Sequence, residues 1–245
     1  KIEISIPLDR KLSRQDRVTV KDNGAGMTFE ECNEKFLVIG RNRRHAENKE
    51  FSDEGRPLMA HKGLGKLACF GIADVMEIES VKSGRLTHFI IDFREIEALN
   101  QGESYFPKVI ADNEPTRDPR GTTVTLREMS KQITVSSDEF FRSMAARFTV
   151  LSDKFQVYIN GILLKRELGV DLEFRFPEKV EDDVIDIQKG EGTTKLSCGE
   201  IKWWIGFAPE PIKTKELQGI TVITRGKMSQ EPWTFGLAGG TTGQH

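Results

Sequence analysis

Apolar and polar side chains alternate through Ile2-Glu3-Ile4-Ser5-Ile6 and again through Arg17-Val18-Thr19-Val20-Lys21. A period of two puts one face of a strand in a core, and the polar turn between the runs predicts an antiparallel hairpin. The period changes at Thr28. Thr28 and Glu31 have capping-box spacing, and Cys32, Phe36 and Ile39 follow at helical intervals, which predicts a short amphipathic helix over 28–39 stopped by Gly40. Residues 41–62 lose all periodicity and mix Arg41, Arg43, Arg44, Lys49, Arg56 and Lys62 with acids; a loop this long is either disordered or a functional lid. Leu64 to Ile72 is apolar and compact, a buried helix. Strands follow at 75–81 and 85–93 about a Lys82-Ser83-Gly84 turn, and further strands at 104–110 and 122–127. Residues 138–151 predict a helix with Phe140, Phe141, Met144 and Phe148 inward, and 156–164 a hairpin turning at Asn160-Gly161. The acidic stretch 178–186 reads as an exposed connection, with strands at 202–207 and 219–225 and a Gly- and Thr-rich tail from Gly236.

Strands and helices mix without strict alternation, and no internal repeat is visible. The expected class is therefore α+β, a two-layer α/β sandwich with helices on one face of a mainly antiparallel mixed sheet, followed by a smaller α/β or β-rich region. The expected division is 1–152 for the core and 153–245 for the second region.

Composition changes this picture little. With 36 Lys+Arg against 38 Asp+Glu the 245-residue chain has a formal charge of −2, which gives no global electrostatic case for coating nucleic acid or an anionic membrane. No apolar run approaches the roughly 18 residues of a membrane span, so no membrane partner is expected. Cys32, Cys69 and Cys198 are odd in number and far apart, without a CxxC pair; a reducing compartment, cytoplasmic or nuclear, is the economical reading. The strand pattern starts at Lys1, with neither a signal h-region nor an initiator Met, so the chain is expected to begin inside a longer protein.

Two clusters carry chemistry. In Val20-Lys21-Asp22-Asn23-Gly24-Ala25-Gly26-Met27 a strand ends in an acid and two glycines. The glycines let a flat ligand approach the backbone, and the carboxylate can accept a hydrogen bond from an exocyclic amine. A plain Asp-Asn-Gly turn would use the same residues. In Ala60-His61-Lys62-Gly63-Leu64-Gly65-Lys66-Leu67 the glycines stand just before a predicted helix, where free N–H groups, the positive helix end and Lys66 make a phosphate cradle. A glycine-softened helix start is the bland alternative. Gly63 to Ala68 also fits the dinucleotide pattern GxGxxA, but that pattern needs a strand directly before the first glycine, and 56–62 is polar and contains Pro57. His45, His61, His88 and His245 are scattered, and no Ser-His-Asp or Cys-His arrangement suggests a nucleophile.

Taken together the clusters resemble the GHKL superfamily of ATPases, the gyrase, heat-shock-chaperone, histidine-kinase and MutL group with its MORC relatives. Asp22-Asn23-Gly24-Ala25-Gly26-Met27 resembles the family's DxGxG adenine motif. Residues 62–71 resemble the second glycine motif after the mobile lid, and Arg120-Gly121-Thr122-Thr123-Val124-Thr125-Leu126 the later Gly-Thr strand. The likeness covers roughly residues 1–165, and Ile159-Asn160-Gly161 after a helix is similar to the chaperone, MutL and MORC branch.

The resemblance implies a Bergerat fold that binds ATP or ADP with Mg²⁺. Asp22 would take the adenine amine, Gly24 and Gly26 would let the base lie on the backbone, and Met27 would pack against it. Gly63, Leu64, Gly65 and Lys66 would hold the phosphates, and Thr122 would complete the adenine end. Gly40-Arg41-Asn42-Arg43-Arg44 sits where related lids carry small hydroxyl and basic residues that reach phosphates, and departs from them in Asn42 and its three arginines; Arg41 and Arg44 read either as phosphate contacts or as a solvated loop. The family's N-box Glu and Asn, which activate water and hold Mg²⁺, precede the first core strand and are expected outside this sequence, so no catalytic or metal-ligating residue is assigned here. The implied function is ATP binding and hydrolysis in the full-length protein, coupled to lid closure, homodimerisation and handling of a protein or nucleic-acid client. The alternatives are a histidine-kinase-type catalytic domain and a degenerate GHKL fold acting only as an interaction module. Lys213, Lys215 and Lys227 are candidates for a cation sent to the γ-phosphate, against ordinary surface lysines. Trp203, Trp204 and Trp233 read as packing residues.

Overall fold

The computed structural model describes residues 1–37, 65–147, 155–165, 172–177, 179–181, 184–186, 191–197, 199–212, 218–224, 227–229 and 232–234. Its centre is an eight-stranded sheet. In chain order the strands are β1 (Ile2–Ser5), β2 (Val18–Asp22), β3 (Ala73–Lys82), β4 (Arg85–Asp92), β5 (Lys108–Pro115), β6 (Gly121–Met129), β7 (Val157–Ile159) and β8 (Ile162–Leu163). Their spatial order is β5-β4-β3-β6-β2-β1-β7-β8. Every pairing is antiparallel except β1 with β7, so the sheet is the mixed, mainly antiparallel one that the strand patterns predict. The register between the long central strands β3 and β6 is unbroken from Val75 to Val81, so even-numbered β3 residues there share one face. Ile78 pairs with Val124 and Phe89, and Met76 with Leu126 and Ile91.

That face is covered in two places. The first core joins Val18, Met76, Ile78, Phe89, Ile91, Phe93, Leu126 and Met129 to buried Cys32, with Met27, Phe36, Leu37, Cys69 and Ile72 packed against them. Its cover comes from helix α1 (Phe29–Glu31) and the wide helical turn Cys32–Phe36 that continues it, and from a 3-10 helix over Gly65–Gly71. The capping box is as predicted: Thr28 Oγ1 accepts from the Glu31 amide and Glu31 Oε2 from the Thr28 amide. The second core joins Ile4, Val157, Ile159 and Leu164 to Phe140, Phe141, Met144 and Ala145 of the long helix Ser137–Arg147. Asn160 locks β1 to β7, its side chain accepting from the Ile6 amide at 2.9 Å and donating to the Ile6 carbonyl at 2.8 Å. Asn160 (φ +48°) and Gly161 (φ +83°) take the left-handed backbone that a two-residue hairpin of this hand requires.

Several expectations need correction. The segment expected to be a buried helix over 64–72 is a 3-10 helix, and Phe70 on it is 39% exposed; glycine at each end of so short a segment gives little hold to an α-helix. A short helix, Phe93–Glu97, follows β4 and was not legible, being capped by Asp92 at what reads as a strand end. The strand expected at 104–110 lies at 108–115. The acidic stretch 178–186 is a small hairpin, 179–181 against 184–186, rather than a bare connection. Other two-stranded ladders join 192–196 to 199–203, 174–176 to 205–207 and 223–224 to 227–228. Ile39, Phe148 and the tail from Gly236 lie outside the described residues. No described helix is long and apolar enough to cross a membrane.

Candidate functional site

Strand register builds the site. Ser80 of β3 pairs with Thr122 of β6, and Thr122 pairs with Asp22 of β2. Three polar side chains therefore stand in one row across three adjacent strands, on the face that carries both cores. Sequence reasoning singled out Asp22 and Thr122, and the structure places them side by side. It missed Ser80, whose strand pattern Ile78-Glu79-Ser80-Val81 gives no sign of function. Ser80 is completely buried (0%), so its hydroxyl must be hydrogen-bonded within the protein. It accepts from the Met27 amide at 2.8 Å and lies 3.0 Å from Thr122 Oγ1.

Backbone contacts shape the rest. The Asp22 carboxylate turns back to accept from the Gly24 amide at 2.7 Å, and a Cβ on Gly24 would lie only 2.6 Å from that oxygen. Gly26 has φ +70°, and a Cβ there would sit 2.0 Å from the Val81 carbonyl oxygen. Gly121 has φ +143°, and its Cβ would meet the Asp22 carbonyl oxygen at 2.1 Å. The two positions thus need glycine for close backbone approach as well as for conformation. At the rim, Lys82 Nζ holds Glu31 Oε2 at 2.6 Å, clamping the capped end of α1 to β3, and Asn113 Oδ1 accepts from the Phe29 amide at 3.4 Å.

Among the described residues, the sheet face between the two covered patches is left partly uncovered. Val20, paired with Ile4 on one side and Val124 on the other, is 40% exposed although its neighbours Ile4 and Val18 are buried. The opening thus has an apolar floor of Val20 and Val124 beside a polar row of Asp22, Thr122 and Ser80, which suits a flat, partly polar ring. Gly63 and Leu64 lie outside the described residues. Gly65 and Lys66 open the 3-10 helix.

A separate groove of ≈ 620 Å³ lies on the opposite face, where odd-numbered Val75 of β3 and Arg127 of β6 point, and it contains none of these residues. Several of its charges are paired, Arg14 with Asp74 and Glu128 at 2.8 and 3.1 Å, and Asp92 and Glu128 with Arg94 at 2.6 and 2.9 Å. We read it as ion pairing that ties the loop before β2 to the sheet. Among the described residues no group of three or more His, Cys, Asp or Glu side chains could hold a metal ion.

Residues 1–117 match the model of the family described as "Histidine kinase-, DNA gyrase B-, and HSP90-like ATPase". This stretch, just under half of the chain, is similar to the GHKL-type ATPases, and the eight-stranded sheet with few helices is consistent with their α+β fold. The family match and the fold together support an ATP-binding module. The chain is also similar to a protein of Herpetosiphon aurantiacus named "Putative type II restriction enzyme HgiDII", with 31% identity over 235 residues and 89% of this chain covered. The match takes in 38% of that relative's length.

Proposed function

We propose that the row Asp22–Thr122–Ser80 and its apolar floor form the adenine pocket of an ATP-binding module that drives conformational change in a longer protein. In this reading the Asp22 carboxylate accepts the exocyclic amine, Gly24 and Gly26 give the base access to the backbone, and Met27 packs on the ring. Thr122 completes the polar edge. Gly63, Leu64, Gly65 and Lys66 hold the phosphates, using free amides and one cation. The observation that carries the reading is the opening at Val20: an exposed apolar floor, between two packed cores, beside an acid and a hydroxyl brought together from separate strands.

The wider reading follows from this site. Residues 1–152 serve as the nucleotide core and 153–245 as the start of a transducer-like region. ATP binding closes the lid and promotes dimerisation of the full-length protein, and hydrolysis resets it. The Asn160-Gly161 hairpin after the long helix supports placement near the chaperone, MutL and MORC branch. Similarity to the Herpetosiphon protein supports placing the module in a restriction-type protein, and the free thiols Cys32 and Cys69 support a cytoplasmic site.

The test is ATP binding and turnover by the full-length protein beside Asp22→Asn. Losing a charged acceptor should weaken binding by about 1.5–3 kcal/mol, more than tenfold. Equal affinity in the two proteins, or no adenine nucleotide binding by wild type, would remove the reading.

A further inference from the structure

We propose that Ser80 makes this site choose adenine over guanine, by fixing the direction in which the Thr122 hydroxyl donates. The proposal rests on the nucleotide-site reading above and adds to it a positioning residue that no motif identifies.

The argument is a count of donors and acceptors. A serine hydroxyl has one proton and two acceptor lone pairs. Ser80 Oγ has three neighbours: the Met27 amide at 2.8 Å, Thr122 Oγ1 at 3.0 Å and the Gly121 carbonyl oxygen at 3.5 Å. The Met27 amide can only donate, so it takes one lone pair. The Gly121 carbonyl can only accept, but 3.5 Å is at the outer limit of a hydrogen bond. The Ser80 proton therefore goes to Thr122 Oγ1. Thr122 becomes the acceptor in that pair, and its own proton is released toward the open side of the row, where Asp22 stands.

The pocket edge then reads acceptor at Asp22 and donor at Thr122. Adenine presents the complement, an amine that donates beside a ring nitrogen that accepts. Guanine presents the reverse in the same places, a carbonyl oxygen facing the carboxylate and an N–H facing the hydroxyl proton. An edge built to hydrogen-bond one pattern rejects the other, because the wrong base leaves polar groups unpaired. Burial adds to the effect: Ser80 is 0% exposed, so water cannot substitute for the missing partner or reorient the relay.

The experiment measures ATP and GTP affinities of the full-length protein by competition, with thermal melts alongside, for wild type, Ser80→Ala, Thr122→Ser and Thr122→Val. Wild type should prefer ATP. Ser80→Ala frees the Thr122 hydroxyl to rotate and accept, so ATP affinity should fall roughly tenfold while GTP changes by less than about twofold. Thr122→Ser keeps the donor and should keep the ATP/GTP ratio; Thr122→Val should lose it. A merely structural Ser80 would weaken both nucleotides alike, and that result overturns the relay. If Ser80→Ala fails to fold, the Thr122 pair decides: an unchanged ratio in Thr122→Val overturns it. A wild type that binds no adenine nucleotide removes the site reading itself. A wild type that binds ATP through Asp22, with a ratio unmoved by these changes, removes the relay alone.

Discussion

Replacing Gly26 with alanine should cost the sheet far more than replacing Gly84, although the two glycines share one backbone conformation, φ +70° and +72°. An L-residue in that left-handed region costs about 1–2 kcal/mol. At Gly84, in the β3–β4 turn, an added Cβ meets only the Thr116 carbonyl oxygen at 3.7 Å, an ordinary contact, so the conformational cost is the whole cost. At Gly26 the same Cβ would lie 2.0 Å from the Val81 carbonyl oxygen and 2.6 Å from its carbon. That backbone belongs to β3, held on one side by β4 and on the other by β6, so the loop must move instead. Overpacking of this kind adds about 1–3 kcal/mol, giving roughly 2–5 kcal/mol for Gly26→Ala against 1–2 for Gly84→Ala. All three tryptophans, Trp203, Trp204 and Trp233, follow the sheet in the chain, so fluorescence is a poor reporter of it. Hydrogen exchange of β3 peptides across a urea series reads its stability directly. Equal losses for the two substitutions would refute the packing argument. Moving the loop also breaks the bond from the Met27 amide to Ser80, so Gly26→Ala should weaken ATP binding while Gly84→Ala leaves it unchanged.

Two further outcomes follow from the charges and thiols. Asp16 is held well below the usual carboxylate range, first by Arg10 at 2.6–2.7 Å and then by the Ser13 amide at 2.6 Å. A depressed folded-state pKa gives stability that is present above the unfolded value near 4 and lost as pH falls toward the folded one. Asp16→Asn should therefore flatten the acid limb of a urea-midpoint profile between about pH 2 and 5, and an unchanged limb would count against it. Cys32 is 1% exposed, and burial pushes its thiol up to about 11; near pH 8 it should resist iodoacetamide in the folded protein and react once urea opens the sheet. Equal alkylation in both states would show that α1 does not cover it.

Much of this was legible in the chain because local chemistry decided it. The alternation in 2–6 and 17–21, the Thr28–Glu31 box, the Lys82-Ser83-Gly84 turn and the Asn160-Gly161 hairpin are each set by a few neighbouring side chains. Asp22 and Thr122 were legible as motif residues, but their adjacency depends on the β2–β6 register, across about a hundred residues of sequence. Ser80 was not legible at all, since a serine among Ile78, Glu79 and Val81 reads as an ordinary strand position until β6 brings Thr122 against it. The helix at Phe93–Glu97 was hidden because Asp92 serves both as the last strand residue and as the cap. The 3-10 helix at 65–71 was misread as buried because its apolar residues suggest a core, whereas Phe70 projects from it beside Phe93. Gly63 and Leu64 remain candidates on sequence pattern and resemblance.

The central claim is that ATP lies in the opening at Val20. A photoreactive azido-adenine analogue of ATP, bound to the full-length protein and irradiated, would mark the residues that line the base. The label should fall on peptides containing residues 22–28 and 120–126, and excess ATP should protect them. Label on the opposite face, at the groove of Tyr105 and Arg127, or label that ATP does not displace, would contradict the account.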